Sequence, residues 1–121
     1  MTTKPFTALA AAFLLASVAR AAEPPKKTPE LVAKGQATFA KYCATCHGPK
    51  GEGDGPAAKA LNPKPRNFKT EALKSPGVAG VHETVSNGVK GTAMIPFKHL
   101  PDEDRWALSY YVLSLKDGAK K

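Results

Sequence analysis

The stretch KYCATCHGPKG, Lys41–Gly51, holds both cysteines of the 121-residue chain and decides how the rest must fold. Two residues separate Cys43 from Cys46, and His47 follows directly. A disulfide between such close neighbours closes a very small loop, which constrains the unfolded chain little. Stabilisation by a cross-link therefore does not explain the pair. Three kinds of site use this pattern: a redox-active disulfide, a zinc site, or covalent attachment of haem.

Two of these chemistries fit the surrounding sequence poorly. A thioredoxin-like Cys-x-x-Cys pair lies at a strand-to-helix turn, whereas Cys43 follows a helical pattern. A structural zinc site takes four Cys or His ligands in two pairs, and His82 and His99 are isolated residues that form no second pair. We therefore favour the third chemistry, in which Cys43 and Cys46 form thioethers with haem and His47 binds its iron.

The N-terminus has the pattern of a secretory signal peptide. Lys4 precedes an apolar run over residues 6–18, and residues 19–21, Ala-Arg-Ala, place small side chains where a signal peptidase reads them. The run is shorter than the roughly 20 residues that span a bilayer, so we favour cleavage over a retained anchor. Removing residues 1–21 takes away Lys4 and Arg20 and no acidic residue, which lowers the formal charge from +8 to +6.

One domain is predicted at residues 30–117, after a flexible lead-in at 22–29 and before a short tail at 118–121. Glycine- and proline-rich stretches predict long loops, and no alternating strand pattern is present. The loops of so small a domain need an apolar group to pack against. Helices are predicted from Thr28-Pro29 into Cys43, at Ala57–Leu61, around Val78, Val81 and Val85 up to Gly88, and from Pro101 to Gly118. The fold class is therefore all-α.

Met94 is the candidate for the second axial ligand, because haem iron in an electron carrier takes methionine or histidine there. Met1 leaves with the signal peptide, so Met94 is the only thioether of the mature chain. It lies in the irregular stretch GTAMIPF, where a side chain can turn inward. The alternatives are that Met94 only fills a gap against the ring, or that His82 or His99 takes its place.

These features together resemble the class I c-type cytochromes of the bacterial periplasmic type, over nearly all of residues 28–116. Gly35 and Phe39, at steps of four before the first cysteine, are similar to the family's first helix. The resemblance implies three to four helices and long loops around one haem c, and a close crossing at Gly35 with Leu108 and Tyr111 as partners. It implies covalent attachment at Cys43 and Cys46 and axial ligation by His47 and Met94.

The resemblance also suggests roles for residues around the haem, at Gly55-Pro56 and at Arg66. Members of the family have a Gly-Pro pair whose carbonyl accepts a hydrogen bond from the histidine, and Gly55-Pro56 is similar to it. Such a bond would orient His47 and strengthen it as a donor. Arg66 is a candidate partner for a haem propionate, and an ordinary surface cation is an equal alternative.

The implied function is a soluble periplasmic carrier of single electrons, without enzymatic activity, because two axial ligands leave no open position for substrate. The charge of +6 favours redox partners with acidic docking surfaces, although lysines dispersed for solubility explain it equally well. We expect a monomer that binds neither nucleic acid nor, after cleavage, the membrane. Two other classes stay open: a subunit of a larger respiratory complex, and a haem enzyme or gas sensor from which Met94 dissociates.

Overall fold

The computed structural model describes residues 1–2, 23–73 and 77–118. Within these ranges the chain is helical and has no β-strand, which confirms the predicted all-α class. The elements are α1 Pro29–Tyr42, α2 Ala44–His47, a 3-10 helix at Ala58–Ala60, α3 Gly77–Asn87 and α4 Asp102–Gly118. None of the helices in the described part is long and apolar enough to cross a membrane. The predicted signal peptide, apart from residues 1–2, lies outside the described residues.

The first helix begins where its capping residues place it. The hydroxyl of Thr28 accepts a hydrogen bond from the Leu31 N–H at 3.1 Å, and Pro29 occupies the first helical position. The helix ends at Tyr42, and Cys43 separates it from α2. The sequence thus predicted the helix that runs into the motif, and the structure adds a break at Cys43 before the short helix that carries the rest of the motif.

Helices α1 and α4 cross in direct backbone contact at Gly35. A Cβ atom on Gly35 would lie 2.0 Å from the carbonyl oxygen of Ala107 and 2.9 Å from Cβ of Tyr111. Tyr111 is therefore a partner in this crossing, as expected. Leu108 was also expected there, but the closest approach is to Ala107, because the side chain of Leu108 turns into the core beside Phe39.

The core lies between α1, α3, α4 and the loop that follows α3. Its buried members are Phe39, Val81, Val85, Phe97, Leu100, Leu108, Tyr111 and Val112. The segment expected to be a flexible lead-in also contacts this framework, because the Tyr110 hydroxyl donates a hydrogen bond to the Pro25 carbonyl at 2.6 Å. That bond ties the middle of the lead-in to α4.

Candidate cofactor site

A cavity of about 640 Å³ opens beside the motif, and its wall brings together residues that are distant in the sequence. Both cysteines and His47 line it, and so does Met94 from the loop after α3. Arg66 lies in the same wall, whereas Pro56 does not. The volume falls within the range of about 300–1,000 Å³ that is typical of cofactor sites.

The two cysteines are unpaired thiols in an apolar environment. Burial, together with the neighbouring sulfur of Cys46, raises the pKa of the Cys43 thiol to about 12. In the described part of the chain, no cluster of three or more His, Cys, Asp or Glu side chains could hold a metal ion, so the zinc hypothesis has no ligand set there.

The imidazole of His47 is held so that one ring nitrogen stays available as a ligand. Its Nδ1 lies 3.3 Å from the backbone carbonyl oxygen of Arg66. A carbonyl only accepts, so the ring proton resides on Nδ1 and the lone pair resides on Nε2. Burial lowers the pKa of His47, although the hydrogen bond to Arg66 opposes that shift. A neutral imidazole with a free Nε2 is the form that binds iron.

A carbonyl from Gly55-Pro56 was expected at His47, whereas the carbonyl next to its Nδ1 in the structure is that of Arg66. Gly55 lies against the backbone of the motif helix, where its N–H donates to the Cys46 carbonyl at 3.1 Å. A Cβ on Gly55 would come within 2.3 Å of the Thr45 carbonyl oxygen, so the turn packs directly on that backbone. The segment at Arg66 instead returns to the histidine and supplies the acceptor.

The guanidinium of Arg66 has protein partners of its own. It donates a hydrogen bond to the Ala72 carbonyl and lies 3.6 Å from the carboxylate of Glu71. Arg66 and Glu71 both line the cavity. A propionate partner at Arg66 therefore stays a prediction, while the main chain of Arg66 has the unforeseen contact with His47.

Met94 is presented by a loop that folds back on the end of α3. Its carbonyl accepts a hydrogen bond from the Val89 N–H at 2.9 Å, and its N–H donates to the Thr92 hydroxyl at 3.1 Å. Gly88 ends the preceding helix with φ +68°, and a Cβ there would lie 2.6 Å from the Met94 carbonyl oxygen. The backbone around Met94 is thus closely fixed by Gly88 and by local hydrogen bonds.

The competing histidines do not line the cavity. His82 stacks on Trp106 with ring centroids 3.7 Å apart, and its Nε2 lies 2.8 Å from a carboxylate oxygen of Asp102. His99 is exposed and lies beside the ring of Phe97. Of the three described imidazoles, His47 alone lines the cavity.

The donor set and the wall fit haem c. Two free thiols, one imidazole and one thioether share a wall whose remaining surface is largely apolar, as a covalently bound macrocycle requires. The apolar part includes Phe39, Phe68, Leu108 and Val112. The described residues therefore satisfy both the ligand chemistry and the burial that this cofactor needs.

The class of protein follows from a comparison with known families. The sequence profile of the family described as cytochrome c matches residues 32–116. This match covers more than half of the chain, and the chain belongs to the cytochrome c family. Members of this family bind haem c and generally carry electrons.

A solved structure has a similar fold. The chain is similar to a chain of the reducing HAO-like protein complex of Kuenenia stuttgartiensis, with 36% sequence identity and a TM-score of 0.68. The similarity covers 78% of this chain and 45% of the other, so the protein spans less than half the length of that neighbour. No curated protein matches the sequence.

Proposed function

We propose that the protein is an exported single-electron carrier with one haem c, attached through Cys43 and Cys46 and ligated by His47 and Met94. The observation that carries this proposal is the single cavity wall shared by two free thiols, one imidazole and one thioether. When bound, haem supplies an iron that alternates between the ferric and ferrous states and so carries one electron.

Each of the four residues has a separate task in this proposal. Cys43 and Cys46 retain the cofactor through thioethers, which suits a protein that works outside the cytoplasm. His47 would bind the iron through Nε2, and the Arg66 carbonyl would strengthen that bond by accepting a hydrogen bond from Nδ1–H. Met94 supplies a sulfur that favours ferrous iron and raises the reduction potential.

The proposed ligand set leaves no iron position for a substrate, so we propose a carrier and not an enzyme. Both the imidazole and the thioether lie in the wall of one cavity, so both would be available to the iron of a haem bound there. The absorption spectra of the purified protein, oxidised and reduced, test this point. Low-spin spectra and no carbon monoxide binding by the reduced protein are expected, and a high-spin spectrum would support the enzyme or gas-sensor class.

Covalent attachment is tested separately. The haem should stay with the polypeptide through acid–organic extraction and denaturing electrophoresis, and a Cys43→Ser, Cys46→Ser double variant should lose stable haem loading. Freely extracted haem in the wild type would disprove the thioethers. A colourless protein that carries zinc would disprove the whole proposal.

We propose a periplasmic location and redox partners with acidic docking surfaces, based on the leader at residues 1–21 and the charge of +6 that remains without it. A steered encounter between opposite charges slows as salt is added. Electron-transfer rates with an acidic redox protein should therefore fall with ionic strength. A rate that is independent of salt would favour dispersed solubilising charge.

A second candidate is a role as one component of a larger electron-transfer assembly. It is supported by the similarity to a longer chain that belongs to a reducing HAO-like protein complex. Purification from native membranes and from the periplasmic fraction distinguishes the two: a carrier is recovered alone, whereas a subunit co-purifies with its enzyme.

A further inference from the structure

Phe68 lies flat against the imidazole of His47, and the proposed function gives it no role. The two ring centroids are 4.5 Å apart and the planes are inclined by 23°, so the rings are stacked. Two residues earlier, the carbonyl of Arg66 is 3.3 Å from Nδ1 of the same imidazole. The short segment 66–68 therefore contacts His47 in two different ways.

The two contacts restrain different motions of the imidazole. The hydrogen bond restrains the direction of Nδ1, but it allows the ring to turn about the line between the nitrogen and the oxygen. The face of Phe68 opposes that turn, since stacked rings lose contact when one plane rotates. Phe39 is a looser neighbour, with its centroid 6.4 Å from that of His47 and its plane inclined by 42°. Phe68 is thus the closer aromatic restraint on the ring plane.

Phe68 is itself anchored by contacts that do not involve the histidine. Its N–H donates a hydrogen bond to the Gly51 carbonyl at 2.8 Å. The next residue, Lys69, pairs with the Glu52 carboxylate at 2.7 Å. The ring of Phe68 also packs edge-on against Phe39, with centroids 6.4 Å apart. Because backbone and ring are both held, Phe68 can impose an orientation on His47.

We propose that Phe68 is a positioning residue that sets the plane of the His47 imidazole at the haem iron. This inference rests on the proposed function, in which His47 is an axial ligand. Contacts around a metal ligand orient it and tune the metal. The plane of an axial imidazole determines how its π orbitals overlap with the iron, and hence how unpaired electron density spreads over the ferric haem. Phe68 therefore controls an electronic property of the cofactor without contacting the iron.

Proton NMR of the oxidised holoprotein tests the proposal, because the shifts of the haem methyl groups report the planes of the axial ligands. Phe68→Leu removes the flat ring and should move these resonances. Phe68→Tyr keeps the ring and should restore the wild-type pattern. The Nδ1–H of His47 should also exchange with deuterium faster in Phe68→Leu, by about two- to tenfold, as expected for the loss of one aromatic pair.

Tyr110→Leu is the matched control for the exchange rate. Tyr110 does not line the cavity, and its hydroxyl donates a hydrogen bond to the Pro25 carbonyl. This variant should keep the wild-type exchange rate at Nδ1. Where Phe68→Leu does not load haem, Phe68→Met removes the ring while keeping a long apolar side chain.

The outcomes separate this inference from the proposed function. Wild-type methyl shifts and exchange rates in the leucine or methionine variant would overturn the positioning role, while His47 would remain the ligand. Equal perturbation by Phe68→Tyr would also overturn it, since the flat ring is then not the cause. If the wild-type spectrum lacks the shifted signals of an axial histidine, the proposed function fails, and the inference fails with it.

Discussion

The backbone of Gly35 lies against the carbonyl group of Ala107, so closely that a Cβ atom would come within 2.0 Å of the oxygen. This contact fixes the crossing of the first and last helices. It also positions the motif, because α1 ends at Tyr42 and the cysteines follow at once. The geometry of the cofactor site thus depends on a contact made two helical turns earlier.

Gly35→Ala should destabilise the protein strongly. The clash is with backbone atoms of Ala107, which cannot move aside as a side-chain end can, so the helices must separate. Overpacking of this kind costs about 1–3 kcal/mol, which exceeds the gain of about 0.5–1 kcal/mol that alanine brings to a helix interior. Denaturant unfolding of the oxidised holoprotein measures the difference.

Gly118→Ala is the matched control for that substitution. Gly118 is the last residue of α4, and a Cβ there would have no atom within 4 Å. The unfolding free energy of the Gly118→Ala variant should stay within about 0.5 kcal/mol of the wild-type value. If Gly35→Ala is equally mild, the close contact with Ala107 does not determine stability.

Gly88→Ala should displace the loop that carries Met94. Gly88 has φ +68°, and its Cβ would lie 2.6 Å from the Met94 carbonyl oxygen and 2.8 Å from the carbonyl carbon of Ile95. The far-red absorption band of sulfur-ligated ferric haem should therefore weaken or disappear. Gly91→Ala is the control, since Gly91 has φ +79° but no atom within 4 Å of the added Cβ. If the band is lost equally in both variants, the cause is backbone strain at a positive φ and not the contact with the Met94 backbone.

Much of the helical framework could be predicted because its signals are local. The hydroxyl of Thr28 caps α1 three residues away, and Gly88 ends α3 by its own backbone conformation. The grouping of Cys43, Cys46 and His47 is likewise a property of adjacent residues. These features depend on the nearest neighbours in the chain, which the sequence displays directly.

The contacts around His47 could not be predicted, because they depend on how a loop returns in space. Arg66 is 19 residues from His47, and its contribution is a carbonyl group that every residue possesses. In the sequence, Phe68 is simply an apolar residue that follows Pro63 and Pro65. Similarly, the choice of Ala107 over Leu108 at Gly35 depends on the rotation of α4 about its axis. Each of these differences reflects tertiary geometry and not a misread local pattern.

Asp102 should make stability depend on pH in the acidic range. Burial opposes ionisation of this carboxyl, but hydrogen bonds with His82 at 2.8 Å and Trp106 at 2.9 Å outweigh it and hold the pKa below the usual 3.8. A depressed pKa gives stability that is present above pH 3.8 and is lost as the pH falls through the lower folded-state value. Asp102→Asn should therefore be less stable than wild type at neutral pH.

The measurement is the unfolding free energy of wild type and Asp102→Asn as a function of pH. The gap between the two curves should narrow once the pH falls below about 4. Asp117→Asn, at the opposite end of α4, controls for the loss of one negative charge on the helix. Curves for wild type and Asp102→Asn that stay parallel through the acidic range would contradict the prediction.

The proposed export implies that the mature protein has a defined N-terminus. N-terminal sequencing should begin at Ala22 or within one or two residues of it, and the protein should appear in the periplasmic fraction. Ala21→Asp places a large charged side chain at the expected cleavage site and should cause the precursor to accumulate. Wild-type protein in washed membranes with residues 1–21 intact would support a retained anchor.

Met94→Ala should convert the carrier into a protein with an accessible iron. The thioethers and His47 are untouched, so haem should remain bound, while the vacated face should accept water, imidazole or carbon monoxide. The reduction potential should fall, because the sulfur that favours ferrous iron is gone. Met94→His should keep the low-spin spectrum and also lower the potential, since imidazole stabilises ferric iron better than a thioether does. Lys98→Ala is the control near the same loop, because that side chain is exposed and does not line the cavity, and it should leave the spectrum unchanged and the potential close to that of wild type. If Met94→Ala matches wild type in both, then His82, His99 or a lysine holds the sixth position and the assignment of Met94 is wrong.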